Sequence, residues 1–342
     1  MKCSLDFKHL FSNHRIRLLH SCGESVSQFS FFKVDSSSRR LLVIGCGSVS
    51  QCTLPLLIDF FLLKQRIGSI TILDALDRRA RIQSSLVEHD RIHYRQEWIT
   101  PGNYDTILHR YLSPGDILLD LAYNLETRCL LQWCHDHEVC FVNTSVELWN
   151  PYGEAGGQDS RLLTLYHRQM QLLELQRQPR WKKNGPTAII DHGCNPGLVS
   201  HFIKRALLNM ADYVLNEHEP LVAPNDRIPL ETAAKAKDYA QLAYLLGIKV
   251  IHISERDTQI SGDPKKVDEF VNTWSIDGLA EEAVAPAEMG WGTHERSIPD
   301  GACFHKGDDG PCNQICLSTK GMNTWVNPRR SRSHCIFDRA RL

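Results

Sequence analysis

Residues 40–74 constrain this chain most. Arg40 to Ile44 (RLLVI) is a short apolar run, the mark of a parallel strand buried on both faces. Gly45, Gly47 and Ser50 follow at G-x-G-x-x-S spacing, and Thr53 to Leu63 reads as an apolar helix. Ser69 to Leu73 (SITIL) is a second strand that runs into Asp74. Strand, glycine turn, helix, strand and acid make up the dinucleotide-binding fingerprint. The first glycine makes the tight turn, and the second lets a pyrophosphate approach the backbone. The helix N-terminus then offers N–H groups and a positive dipole to the phosphates. Ser50, where a third glycine is usual, is small enough to keep helix and strand close. Asp74 lies further on than the usual spacing of about 20 residues, but its place at a strand end suits ribose hydroxyls. An acid there repels a 2′-phosphate, so the expected cofactor is NAD rather than NADP.

The next segments keep the same alternation. Asp116 to Leu121 and Val139 to Asn143 read as strands, and Leu162 to Leu175 carries apolar residues at helical spacing. Pro179, Gly185 and Pro186 close that helix. Thr187 to Ile190 reads as a strand, Gly193 to Gly197 (GCNPG) as a tight turn, and Val199 to Met210 as a helix. One further helix is expected over Glu231–Leu246, and an alternating strand over Lys249–Ser254. The fold class is therefore α/β: a doubly wound parallel sheet with crossover helices over residues 39–192, then a second α/β substrate domain over 193–327. Residues 1–38 read as a poorly ordered leader, and 328–342 as a tail outside both domains.

Composition narrows the partners. A net charge of −1 leaves no global basic field for nucleic acid. No apolar run reaches the roughly 18 residues of a membrane helix, and the first thirty residues hold no signal-peptide core. The twelve cysteines follow no secreted-domain framework, so reduced thiols in a cytoplasmic protein are expected. Cys303, His305, Cys312 and Cys316 lack a second matched pair of metal ligands, so no metal is expected.

From Val250 to Glu295 the chain mixes Glu255, Asp257, Asp277, Glu281, Glu282, Glu288 and Glu295 with Trp274, Met289 and Trp291. Carboxylates beside indole faces suit an organic cation, by Coulomb attraction and by cation–π contact worth about 0.5–2 kcal/mol. Each residue also has a plainer reading. Trp274 alone fits a core position, Glu255 an ion pair with Arg256, and one of Glu281 and Glu282 a solvated face. Asn195 fits a turn residue before proline.

The stretches IGCGSVSQCTLPLL, GCNPGLVSHF, GIKVIHISERDTQ, FVNTWSIDG and PAEMGWGTHE resemble bacterial homospermidine synthase, an enzyme family related to the saccharopine dehydrogenases. The resemblance runs from about Arg40 to about Asn327. It implies a transferase that borrows NAD as a prosthetic oxidant with no net redox change. Putrescine, or spermidine, would be oxidised to an imine and lose its amine. A second putrescine would attack, and the product imine would be reduced. By the same resemblance, Gly45, Gly47, Ser48, Val49 and Asp74 match the cofactor loop and ribose acid. Asp120, Leu121, Ala122, Thr144 and Ser145 fall at strand ends of the NAD pocket. Trp274 matches a cation-stacking indole, and Glu255 and Glu282 match acids that bind ammonium groups and help move protons. Asn195 and Glu147 match further substrate-site groups, and Asn124 stands where the family has an aspartate. A homodimer is implied.

Two rival readings remain at this level. A saccharopine- or carboxynorspermidine-type dehydrogenase would need arginine clamps for substrate carboxylates, where this chain offers acids. The resemblance ends at Trp325-Val326-Asn327, ahead of a family histidine that helps form the active site. The second domain is thus expected to be incomplete, by a frameshift or early stop near Asn327. A remnant that at most binds NAD is the third reading.

Overall fold

The computed structural model describes residues 39–323, apart from 83–88, 151–158, 217–223, 250, 252, 254–261, 263, 272–274, 292–296 and 306–312. Six parallel strands form the first sheet: β1 (Arg40–Ile44), β2 (Ser69–Asp74), β3 (Ile92–Gln96), β4 (Ile117–Asp120), β5 (Cys140–Asn143) and β6 (Ala188–Ile189). Their order is β3-β2-β1-β4-β5-β6, the doubly wound Rossmann order. The expected α/β class holds.

The sheet is legible because its strands are buried on both faces. Along β1, Leu42 and Ile44 enter one apolar core and Leu41 and Val43 the other. Four consecutive apolar residues follow from that alternation. The first core gathers Leu118, Leu130, Leu131 and Phe141 under helices α2 (Tyr104–Tyr111), α3 (Thr127–Asp136) and α4 (Leu165–Arg177). The second gathers Leu54, Ile58, Leu62, Ile70 and Ile72 beneath α1 (Ser48–Leu57). Each fully buried leucine or phenylalanine contributes roughly 1.5–3 kcal/mol. Helix α1 begins earlier than its apolar run suggests and gives way after Leu57 to a π-helical turn, Ile58–Leu62.

Beyond β6, α5 (Leu198–Asn216), α6 (Pro224–Ala236) and α7 (Tyr239–Leu245) close around Leu207, Leu230 and Leu242. The single helix expected over Glu231–Leu246 is two. Lys237 turns left-handed (φ 56°), and the Asp238 carboxylate caps α7 by accepting from Gln241 N at 3.0 Å. Of the strand expected over Lys249–Ser254, Lys249, Ile251 and Ile253 are described and belong to no strand; the others lie outside the described residues. Helix α8 (Ile276–Val284) leads into a small antiparallel sheet of β7 (Pro286–Trp291), β8 (Cys303–Phe304) and β9 (Asn313–Lys320), in the order β7-β9-β8.

Candidate functional site

The first sheet reverses its winding at β1, between β2 and β4, and ligands of doubly wound sheets sit at the carboxyl ends of such strands. Gly45 leaves β1 at φ +94°. A Cβ there would stand 2.7 Å from the Leu121 carbonyl oxygen and 2.9 Å from Ala122 N, so only glycine lets the turn pass under the end of β4. Gly47 is extended, and its nearest neighbour would be an Arg78 guanidinium nitrogen 3.9 Å from an added Cβ. Ser48 and Val49 are exposed on the first turn of α1, which has neither a side-chain cap nor an acid. Those first-turn N–H groups and the open space above Gly47 fit a pyrophosphate. Ser50 is buried, and its hydroxyl donates to the Gly45 carbonyl, which locks helix to turn.

Asp74, 9% exposed, does more than end β2. Its Oδ2 accepts from Cys46 N at 2.6 Å, and its Oδ1 accepts from Leu76 N at 2.8 Å. Arg78 Nε lies 3.5 Å from Oδ1. The acid therefore ties the glycine turn to the loop after β2, and its remaining lone pairs are what a ribose hydroxyl could reach.

Across the crevice lies an acidic pocket. Asp120 closes β4 at 3% exposure, with Oδ1 accepting from Ala122 N at 3.1 Å. Burial pushes its carboxyl up to about 8; the Glu147 charge adds to the rise, and the Ala122 N–H opposes it. Burial also raises the Glu147 carboxyl, and Glu281 raises it further, against the Ser145 hydroxyl, Arg168 and the Asn124 N–H. Asn124 sits in the left-handed region at φ 60°, where asparagine is tolerated. Its Oδ1 and Glu147 Oε2 are buried acceptors without a donor. Arg168, on α4, pairs with Glu281 of α8 and donates to the Val146 carbonyl at 3.0 Å. Glu288 of β7 accepts from Tyr166 N at 3.2 Å.

The structure brings together Asn124, Glu147, Asp120, Ser145 and Glu281. Thr144 lies against Gly193, next to the turn that carries the exposed Asn195. Glu282 is half-buried on α8, whereas Asp277 on the same helix is exposed. Glu255 and Trp274 lie outside the described residues. The sequence reading missed Arg168, because an arginine in the first turn of a helix carries no signal of a partner 113 positions away. It also missed Thr127 and Asn143, which bond beneath Glu147. Among the described residues, no group of three or more His, Cys, Asp or Glu could hold a metal ion, and no helix is long and apolar enough to cross a membrane.

Comparison with known proteins bears on this arrangement. Residues 41–189 match the family model of the saccharopine dehydrogenase NADP binding domain, and 193–330 that of the saccharopine dehydrogenase C-terminal domain. The homospermidine synthase of Mesorhizobium japonicum is 34% identical over 86% of this chain and 56% of its own length. That of Blastochloris viridis is 32% identical over 84% of this chain and 56% of its own length. The crystal structure of the homospermidine synthase from Legionella pneumophila in complex with NAD is 31% identical, with a TM-score of 0.61; the match covers 84% of this chain and 56% of that one. The chain thus spans about half the length of the curated relatives it matches.

Proposed function

We propose a polyamine-handling function for this chain, which belongs to the saccharopine dehydrogenase family, on its homospermidine synthase branch. In this reading it binds NAD at the Gly45–Asp74 turn and takes a diamine such as putrescine, or spermidine as aminobutyl donor, into the acidic pocket. The reaction is aminobutyl transfer from one amine to another, giving homospermidine. Bound NAD would supply the hydride acceptor and return the hydride. The homodimer, the cytoplasmic location and the roles of Glu255, Trp274, Glu282 and Asn195 belong to the same reading.

The observation that carries it is the pair of buried acceptors without donors, Asn124 Oδ1 and Glu147 Oε2, beside Asp120 and Glu281. An orphaned buried acceptor costs about 1–3 kcal/mol. An alkylammonium carries three N–H donors and one positive charge, so it satisfies both oxygens and the local field together. A carboxylate-bearing substrate would meet Glu147 and Glu281, and Arg168, whose Nε is a buried donor without a partner, has its terminal nitrogen paired with Glu281. That favours an amine over the substrates of a saccharopine-type dehydrogenase.

Glu147 must ionise to hold an ammonium. Its raised carboxyl means that binding expels a proton at mildly acid pH, and diamine affinity should rise with pH until the empty site is fully ionised. Glu147→Gln is expected to weaken putrescine binding about tenfold or more, since charge-assisted hydrogen bonds are worth about 1.5–3 kcal/mol. NAD affinity should change less than about twofold. Calorimetric titration of the NAD-saturated chain reads both, and mass spectrometry of the same mixture reads homospermidine. Undiminished putrescine affinity in the variant would remove Glu147 from the site. No putrescine binding by the parent chain would end the reading.

Asp74 decides between cofactors. Its charge, set 3.5 Å from Arg78, is expected to make NAD bind about tenfold tighter than NADP. Arg78→Ala should widen that gap, because the cation that would offset Asp74 before a 2′-phosphate is gone. Parallel titrations with the two dinucleotides measure it; equal affinities in the parent chain would take the discriminating role away from Asp74.

A further inference from the structure

Two loops of the proposed site share one buried amide. Asn143 ends β5 at 1% exposure. Its Nδ2 donates to the Ser145 carbonyl at 2.7 Å and to Thr127 Oγ1 at 3.2 Å. Its Oδ1 accepts from Asp191 N at 2.8 Å, and its own carbonyl accepts from His192 N at 3.1 Å. Thr127 is fully buried at the start of α3; its Oγ1 accepts from Glu147 N at 2.9 Å, and its N donates to the Glu147 carbonyl at 3.1 Å. One side of the amide therefore fixes the Ser145–Glu147 loop. The other fixes Asp191, and the main-chain carbonyl of Asn143 holds His192; the two lead directly into the Gly193–Gly197 turn with Asn195.

We propose that Asn143 is a positioning residue that holds Glu147 and the Asn195 turn as one unit, so that both ends of the diamine site are set by a single side chain. The inference rests on the proposed function in so far as Glu147 and Asn195 meet the amine. The chemistry selects asparagine. The upper loop demands donors and the lower loop an acceptor, and among side chains of this size only a carboxamide offers both. An apolar residue would leave the half-buried Asp191 N–H without this acceptor. Aspartate would turn a bare oxygen towards the Ser145 carbonyl, and that repulsion would push the carboxylate out of place and off the Asp191 N–H as well. Thr127 carries half of the arrangement, the Ser145–Glu147 loop: its Oγ1 accepts from Glu147 N and donates to the Ser145 carbonyl at 3.4 Å.

The test uses Asn143→Asp, Thr127→Val and Thr127→Ser in the full chain. Amide hydrogen exchange is expected to quicken about tenfold or more at both Glu147 and Asp191 in Asn143→Asp. In Thr127→Val it should quicken at Glu147 alone, and Thr127→Ser, which keeps the hydroxyl, should restore parent rates. Putrescine affinity should fall about tenfold in Asn143→Asp, and clearly less when Glu147→Gln is already present, because the two then act through one contact. Exchange that quickens at one loop only, or equal affinity losses in both backgrounds, overturns the proposal. If Asn143→Asp does not fold, the two Thr127 variants decide the Glu147 arm: exchange at Glu147 unchanged in Thr127→Val overturns it. If the parent chain binds no putrescine, the proposed function falls while the exchange rates still decide the coupling.

Discussion

Gly45→Ala is expected to cost about 2–5 kcal/mol of stability and at least about a hundredfold in NAD affinity. Two terms add. The left-handed φ of +94° disfavours any side chain by roughly 1–2 kcal/mol. The new Cβ would also press on backbone, 2.7 Å from the Leu121 carbonyl oxygen and 2.8 Å from its carbon, where no side chain can swing aside. Relief must come from parting β1 and β4, at typical overpacking costs of 1–3 kcal/mol. That movement strains the bonds Gly45 N to the Leu73 carbonyl (2.8 Å) and Leu121 N to the Ile44 carbonyl (2.9 Å), which align the strand ends around the crevice. Gly47→Ala separates the two effects. Its backbone is extended and the space around it open, so stability should drop by less than about 1 kcal/mol. Its methyl would nonetheless stand where the pyrophosphate approaches, and NAD affinity should fall steeply. Thermal melts with NAD titrations measure both variants. A Gly47→Ala chain that binds NAD like the parent would show that the phosphates lie elsewhere.

The strands around this turn were legible because burial on both faces writes a continuous apolar run, as in Leu41 to Ile44. The same rule hides β3. Its sequence, IHYRQ, holds only one buried residue, Ile92, since it is an edge strand of the sheet and faces solvent along much of its length. Helix α2 was missed for a related reason: only Ile107 and Leu108 in it are buried. The break between α6 and α7 escaped notice because the apolar period continues across it. Nothing about a lysine announces the left-handed turn at Lys237.

The pocket was less legible than the turn. A phosphate-binding turn is local, built from residues within a few positions of each other, so its spacing can be read directly. The acidic pocket is assembled from β4, the loop after β5, α4 and α8, and no spacing connects Glu147 to Arg168 or Glu281. Asn124 and Glu147 came from resemblance to a known family rather than from periodicity. What the structure adds is the physical reason they belong together, the Asn124 N–H that reaches the Glu147 carboxylate and the acceptors left over. Of the acids between Val250 and Glu295, the structure sorts Glu281 and Glu288 into contacts with α4 and leaves Asp277 exposed. Composition alone could not have divided them.

Asp120 gives the largest expected effect of pH. Its carboxyl is held near 8 in the folded chain, against an ordinary value of 3.8. Between those values the unfolded chain has released this proton and the folded chain keeps it. Stability therefore falls as pH rises from about 4 to about 8, because the folded state binds more protons. The loss is on the order of 2–5 kcal/mol. Asp120→Asn keeps the shape and the acceptor for Ala122 N but cannot ionise. The variant should melt close to the parent at pH 4 and about 4–10 °C above it at pH 8.5, at roughly 2 °C per kcal/mol for a chain of this size. Glu147 and the buried Cys134 also titrate upward and are coupled to Asp120 by charge, so the difference reads Asp120 together with its effect on those two groups. Parent and variant melting in parallel across that range would mean that Asp120 is ionised in the folded chain. The carboxyl would then stand beside Glu147 as a permanent charge and not as a neutral acid able to give up a proton.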